Sequence, residues 1–182
     1  MNRLACATLL FLSALLGGCP ESIHPASDPA TAAHDPALFG TWHGILEGDN
    51  VYLHVGPGAR GMTSAIMVEH DAKNGIKVER YSAHPTKLAS LTVLNVRPLD
   101  DAHEHGYSIM KYEVEAGTLT LWMTSYAAIR EDIRAGKLKG VAEKDPYGDT
   151  RITASGAELA AYLRAADRKR LFDKPLAFRR IP

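Results

Sequence analysis

The chain has little cysteine, no excess charge of either sign and no apolar run long enough to cross a membrane. Of its 182 residues only 2 are cysteines, and 21 Lys and Arg residues balance 21 Asp and Glu residues. Without net charge there is no long-range field to attract nucleic acid, so we do not expect a nucleic-acid partner. The sequence also lacks the Gly-x-Ser-x-Gly motif of many hydrolases. A hydrophobic content of 46% and glycines and prolines outside any repeat favour one folded domain of ordinary size.

The first residues have the regions of a secretion signal. Arg3 precedes the apolar run 4–16, which is shorter than the ~20 residues of a membrane-spanning helix. The sequence Leu-Gly-Gly-Cys at 16–19 resembles the bacterial lipobox. That resemblance implies cleavage before Cys19, a diacylglyceryl thioether on its sulfur and acylation of its amino group, and several acyl chains form a durable anchor. An ordinary secretory signal cut nearby is the alternative.

Such processing divides the chain into a signal peptide (1–18), a lipidated cysteine with a flexible tether (19–36) and a folded domain (37–182). Residues 20–36 are rich in Pro, Ala, Ser and Asp, a composition that predicts extended conformers and little burial. Pro20 stands where the common inner-membrane retention signal has Asp. The resemblance therefore implies an outer-membrane lipoprotein that faces the periplasm, and its mature chain would have no thiol for catalysis or metal binding.

Short segments of alternating or β-branched residues recur after the proposed tether and predict antiparallel β-structure. Turn residues separate the segments, and the short link at 115–117 predicts a hairpin. A long series of strands leaves exposed edges unless the sheet closes, so we predict an up-and-down barrel of about eight strands. The segments are 38–47, 51–55, 62–70, 75–83, 89–96, 106–115, 117–125 and 176–181.

Two short helices are predicted late in the chain. Ser155 and Glu158 have the spacing of a capping box, in which each side chain bonds the other's backbone amide. The other helix, 127–135, carries two isoleucines one turn apart. The basic residues at 168–170 are expected near the negative end of the capped helix, on a solvated face.

The triplet Gly40-Thr41-Trp42 at the head of the first strand resembles the Gly-x-Trp signature of lipocalins and related calycin barrels. The resemblance implies that Trp42 closes one end of a barrel and that a basic residue near the chain terminus, Arg179 or Arg180, packs over its ring. The domain is also similar to small bacterial lipoproteins of lipocalin-like type, a likeness that implies no particular activity.

His103 and His105 are the strongest metal candidates among 8 histidines. A spacing of two on an extended chain puts both imidazoles on one side about 7 Å apart, close enough to share one metal ion. Further ligands, for example His70 or His84, would have to come from elsewhere. The alternative is a solvated polar loop.

His43, Tyr52 and His54 share one alternation phase on two neighbouring predicted strands. They either line a polar interior or face solvent as cross-strand pairs, because the period of a strand does not say which face is inside. The acidic group at 69–71 is expected to be ordinary surface charge.

The same uncertainty applies to the barrel interior. Leu53, Ile66, Val93, Ile109 and Leu121 could fill a small barrel completely. Four small residues on the early strands could instead leave space for a ligand, and these are Gly44, Gly56, Ser64 and Ala65.

Together these features favour a membrane-anchored envelope lipoprotein with a non-catalytic barrel that binds a small apolar or amphipathic ligand or another envelope protein. Two alternatives stay open. One is an enzyme that uses a metal at His103 and His105, and the other is an accessory protein with a packed barrel. Apart from the covalent lipid on Cys19 and that metal, no cofactor is expected.

Replacing Cys19 with alanine should abolish lipidation and leave unprocessed precursor, because the lipoprotein peptidase acts after lipid transfer to the thiol. Metabolic labelling with palmitate measures the outcome. Label retained by the Cys19→Ala variant would refute the assignment.

Overall fold

The computed structural model describes residues 20–71, 75–99, 106–143 and 149–182. Within these ranges eight antiparallel strands form a closed barrel, and three short helices follow late in the chain. The predicted fold class is confirmed. In chain order the strands are β1 (Glu21–Ser22), β2 (Gly40–Leu46), β3 (Asp49–Pro57), β4 (Thr63–Asp71), β5 (Gly75–Leu88), β6 (Leu91–Pro98), β7 (Ser108–Glu115), β8 (Thr118–Thr124), β9 (Gly140–Ala142), β10 (Thr150–Ile152) and β11 (Phe172–Ile181). The helices are α1 (Tyr126–Arg134), α2 (Gly156–Ala165) and α3 (Arg168–Leu171).

Each of the strands β2 to β7 pairs with the strand that follows it in sequence, and β11 closes the ring between β8 and β2. Two of the hairpin links are two-residue turns with positive φ at both positions: 53° and 100° at Glu47 and Gly48, and 45° and 76° at Ala116 and Gly117. Such turns match the twist of paired strands, and glycine adopts this conformation without steric cost. The predicted hairpin at 115–117 is therefore present.

Strands β5, β6 and β7 bury side chains on both faces. Val96 and Met110 point into the barrel, whereas Leu88, Val93 and Ile109 belong to a second core on its outer wall. That second core is completed by the three helices and by a small sheet in the order β1-β10-β9. We call this outer layer the cap.

The residues that line the barrel interior differ in part from those that the sequence predicts, because some of the predicted ones pack under the cap. Leu53 and Leu121 line the barrel interior as expected. Val93 and Ile109 instead pack under the cap, and Ile66 lies 38% exposed on the outer wall. Alternation shows which residues share a face, but where both faces are buried an apolar side chain does not reveal which face is inside.

The capping box of α2 forms as predicted. Ser155 Oγ accepts from the backbone amide of Glu158, and Glu158 Oε2 accepts from the amide of Ser155 at 2.9 Å. Lys139 donates a hydrogen bond to Glu158, and this bond together with those from Ser155 lowers the pKa of the exposed Glu158 carboxyl to about 2.

Asp132 links the three helices of the cap. Its buried carboxylate accepts hydrogen bonds from Tyr162, at 2.7 Å, and from Arg170, and Lys137 Nζ lies 3.6 Å away. Burial alone would raise the pKa of Asp132, but these hydrogen bonds and positive charges outweigh it and lower the pKa. The basic residues at 168–170 therefore do not simply end α2. They form the separate turn α3, and Arg170 is the partner of a buried acid.

Residues 20–36 lie against the barrel and the cap, which differs from the flexible tether that their composition predicts. Strand β1 pairs in parallel with β10, and Ser22 and Ala26 are buried. Asn95 Oδ1 accepts from the amide of Ala26 at 2.7 Å. Ser27 Oγ lies 2.5 Å from Thr86 Oγ1. The segment docks through backbone and small polar groups, so its lack of large apolar residues does not prevent burial.

A chain that begins at Ala37 should consequently be less stable than one that begins at Pro20. Removing the segment deletes the hydrogen bonds that Asn95 makes with Ala26 and Thr86 makes with Ser27, and each hydrogen bond contributes about 0.5–1.5 kcal/mol net. We expect the free energy of unfolding from urea melts to fall by about 1–3 kcal/mol for the two bonds. Equal melts of the two chains would show that residues 20–36 do not contribute to the fold.

His84 is a fully buried imidazole beneath this docked segment. Its Nε2 donates to the carbonyl oxygen of Ser27 at 3.2 Å, and its buried Nδ1 has no hydrogen-bond partner among the described residues. Burial lowers the pKa of His84, because it disfavours the imidazolium more than the Ser27 hydrogen bond and the charge of Asp28 favour it.

This lowered pKa makes stability depend on pH in a defined direction. The unfolded chain takes up a proton near the ordinary histidine value of about 6.5, while folded His84 resists protonation. The contribution of neutral His84 to the free energy of unfolding is therefore complete above about pH 6.5 and is lost as the pH falls towards the pKa of the folded state. We expect thermal melts to fall more steeply between pH 8 and pH 5 for the native protein than for His84→Gln, which keeps a donor but does not titrate. Parallel pH profiles would show that the pKa of His84 is not lowered by folding.

Candidate functional site

The barrel encloses a cavity of about 170 Å³. Its wall is almost entirely apolar, with side chains from β2 to β8 and from β11. Of the four small residues proposed from the sequence to leave space for a ligand, Ala65 lines this cavity. The apolar lining residues are Leu38, Leu46, Leu53, Val55, Ala65, Met67, Tyr81, Ala83, Leu94, Val96, Met110, Leu119, Leu121, Met123, Leu176 and Phe178.

Gly44 does not leave open space as the sequence suggests. The ring of Phe178 packs directly on it, and a Cβ at position 44 would come 2.7 Å from Phe178 Cδ1. The small residue therefore admits an aromatic side chain from β11 and tightens the contact that closes the barrel.

A charged cluster lies at one end of the cavity. Glu69, Lys77 and Glu79 face the cavity from β4 and β5, and Glu69 pairs with Lys77 in the sheet register. Lys77 Nζ lies 2.8 Å from Glu79 Oε1, and Tyr81 Oη donates to Glu79 Oε2 at 2.5 Å. Glu69 is only 4% exposed, whereas Lys77 and Glu79 are partly accessible. The cavity is thus apolar along its length and polar at this end.

The cluster marks the end of the barrel where β4 stops and β5 starts. In an up-and-down barrel this is also the end where β2 stops, β6 stops and β7 starts. We call it the β4–β5 rim.

The opposite end of the barrel is closed by Trp42. The indole is fully buried, and its Nε1 donates to the carbonyl oxygen of Leu38 at 2.8 Å. Arg180 covers the ring, with its guanidinium carbon 4.1 Å from the ring centroid, and donates to the carbonyl oxygens of Phe39 and Ala37. A cation held over an indole face in this way is stabilised by the charge distribution of the ring.

The structure also gives a reason for the glycine of the triplet. Gly40 has a φ of 134°, and a Cβ there would come 2.6 Å from Arg180 Nη1. Glycine is required both for the backbone conformation and for the approach of the arginine. Of the two arginines proposed, Arg180 packs on Trp42, and Arg179 pairs with His43 in the register of β11 and β2.

His43, Tyr52 and His54 do not line the cavity. They lie on the outer wall, where the His43 and Tyr52 rings are 4.8 Å apart and His54 Nδ1 lies 3.1 Å from Thr41 Oγ1. His43 and Tyr52 are direct cross-strand partners. They alternate with Trp42 and Leu53, which point inward, and therefore point outward. The interpretation of these residues as cross-strand pairs is correct, and their interpretation as ligand-lining residues is wrong.

Three other predicted site residues, Cys19, His103 and His105, lie outside the described residues. Among the residues that the structure does describe, no group of three His, Cys, Asp or Glu side chains could hold a metal ion. Within the same part of the chain, no helix has the length and apolarity needed to cross a membrane.

Sequence reasoning missed the inward-facing charges. It assigned Glu69 to ordinary surface charge and did not single out Lys77 or Glu79. A signal was present, because Glu69 shares its alternation phase with Ala65 and Met67, which line the cavity. An acidic residue that alternates in step with the apolar residues of a strand points to the same face as they do. Its carboxylate therefore points inward once that face is known to be the inner one.

Comparison with protein-family models, curated proteins and solved structures gave no match to this chain.

Replacing Trp42 with alanine should lower the free energy of unfolding by about 3–5 kcal/mol, the usual cost of truncating a buried tryptophan. Arg180→Ala removes the cation over the ring and two partly exposed hydrogen bonds, and should cost about 1–2 kcal/mol. Urea melts measure both losses, with Arg179→Ala as the matched control of similar position and charge. If Trp42→Ala is tolerated as well as Arg179→Ala, Trp42 does not hold the barrel end closed.

Proposed function

We propose that the protein is an envelope lipoprotein, anchored through Cys19 in the outer membrane and facing the periplasm, whose barrel binds a small amphipathic molecule. The observation that carries the binding proposal is the apolar cavity of about 170 Å³ inside the barrel. In another protein an apolar cavity of about 150 Å³ stays dry and binds benzene. The cavity is thus of a size for one ring or a short branched chain.

The charged cluster suggests the polar part of the ligand. Among the described residues that line this end of the cavity, Glu69 and Glu79 contribute two carboxylates and Lys77 one ammonium group, an excess of one acid. A ligand with an ammonium group or with several hydrogen-bond donors would meet these carboxylates while its apolar part fills the cavity. An anionic ligand would place its charge next to two acids and lose affinity.

The alternatives differ in what supports them. The cavity disfavours an accessory protein with a packed barrel, because side chains should fill the interior of such a barrel. Binding of an envelope protein becomes the better explanation if no small molecule enters the barrel. No feature of the described residues favours the metal-dependent enzyme, whose candidate ligands His103 and His105 lie outside them.

The binding proposal can be tested with three probes of matched shape: toluene, benzylamine and benzoate. We expect benzylamine to bind about threefold more tightly than toluene, since a partly exposed charge interaction of about 0.7 kcal/mol corresponds to that ratio. Benzoate should bind more weakly than toluene. Chemical-shift titration of the purified domain measures each affinity and locates the probe.

Two phenylalanine substitutions on neighbouring positions of β4 provide the control. Ala65→Phe should fill the cavity and abolish binding, whereas Ser64→Phe places the same ring on the outer wall and should leave binding unchanged. Glu79→Gln should reduce the preference for benzylamine over toluene. Toluene that binds equally well to the native protein and to Ala65→Phe would place the ligand outside the barrel and defeat the proposal.

A further inference from the structure

Only a short stretch of chain separates Cys19 from β1. Strand β1 begins at Glu21, so Pro20 is the one residue between the cysteine and the strand. A chain extends by at most about 3.6 Å per residue, which puts the Cα atom of Cys19 within about 11 Å of that of Ser22. A lipid on Cys19 would thus leave the protein close to β1.

Strand β1 is fixed to the barrel at the β4–β5 rim. Ser22 is fully buried and exchanges two backbone hydrogen bonds with Tyr107, of 2.9 and 2.7 Å, just before β7 starts. The amide of Gly106 donates to a Glu21 carboxylate oxygen, and a Cβ at position 106 would come 2.6 Å from the Ser22 carbonyl oxygen. These contacts leave little freedom between the strand and the rim.

Exposed apolar side chains gather at the same rim. Ile45 on β2 and Ile76 on β5 lie at the two ends of one row of paired residues. The row crosses the four strands through Asn50 and His70. At the opposite rim the large exposed apolar side chain among the described residues is Ile181. Those at or beside the β4–β5 rim are Ile23 at 44% exposure, Ile45 at 66%, Ile76 at 67% and Leu99 at 57%.

We propose that the β4–β5 rim lies against the bilayer that holds the lipid on Cys19. The inference rests on the proposed lipid anchor. The short connection keeps the rim near the membrane surface, and Ile45, Ile76 and Leu99 supply apolar contacts at the interface. The turn between β2 and β3 carries Glu47 and precedes Asp49, so this part of the rim, next to Ile45, fits a zwitterionic surface better than a strongly anionic one.

The experiment measures how close each end of the barrel lies to the lipids. Ile76→Cys and Ile181→Cys are made separately in the full-length lipidated protein, labelled with a nitrobenzoxadiazole dye and reconstituted into phosphatidylcholine vesicles that contain spin-labelled lipid. We expect quenching of the dye at position 76 to be at least twice that at position 181. Equal quenching at the two positions would overturn the apposed rim.

A spacer variant tests whether the short connection sets this position. Twelve Gly and Ser residues inserted between Pro20 and Glu21 keep the anchor but lengthen the connection from Cys19 to Ser22 to about 54 Å at full extension. Quenching at position 76 should then fall towards the value at position 181. Unchanged quenching would show that the connection does not hold the rim at the membrane, and would overturn the argument from its length.

Palmitate labelling of the same preparations separates this proposal from the anchor on which it rests. Protein without label would refute the anchor and the apposed rim together. Labelled protein with equal quenching at both positions would refute the apposed rim alone.

Discussion

Pairing of β11 with β2 is the contact on which the rest of the structure depends, because it closes the sheet into a barrel. The contact is built around Trp42, with Phe178 packed on Gly44 and Arg180 packed on the indole. Closure removes the open edges of the sheet and encloses the cavity. The outer wall of β5 to β7 in the same closed sheet carries the cap. The cavity and the core under the cap therefore lie on opposite faces of one sheet.

Much of the barrel was predictable from local chemistry. Alternating segments and turn residues gave the strands and their order, and the pair Ser155 and Glu158 gave the start of α2, since these signals act over a few residues. The closed end was expected from the resemblance of the triplet at 40–42 to the Gly-x-Trp signature, which implied a terminal arginine over the indole, and not from local chemistry alone. The structure adds only which arginine takes part.

The candidate site was harder to predict, because it depends on which face of each strand is inside. Val93 and Ile109 are as apolar as true interior residues, yet they face the cap, and His43 and His54 face solvent. The docked segment 20–36 was missed for a different reason. Its burial depends on single hydrogen bonds to Asn95 and Thr86, and composition carries no record of such partners. Long-range pairing of this kind is fixed by the completed fold and not by local propensity.

The parallel pairing of β1 with β10 also constrains the order of folding. It joins Ser22 to Ile152, residues about 130 positions apart, and it needs a finished barrel wall on which both can rest. Contacts between such distant residues require closure of a long loop and form late. Strand β1, the first of the described strands in the chain, would then be among the last to become ordered. In the proposed lipoprotein, a folding intermediate that lacks only this strand would be joined to the lipid on Cys19 through a longer, looser connection.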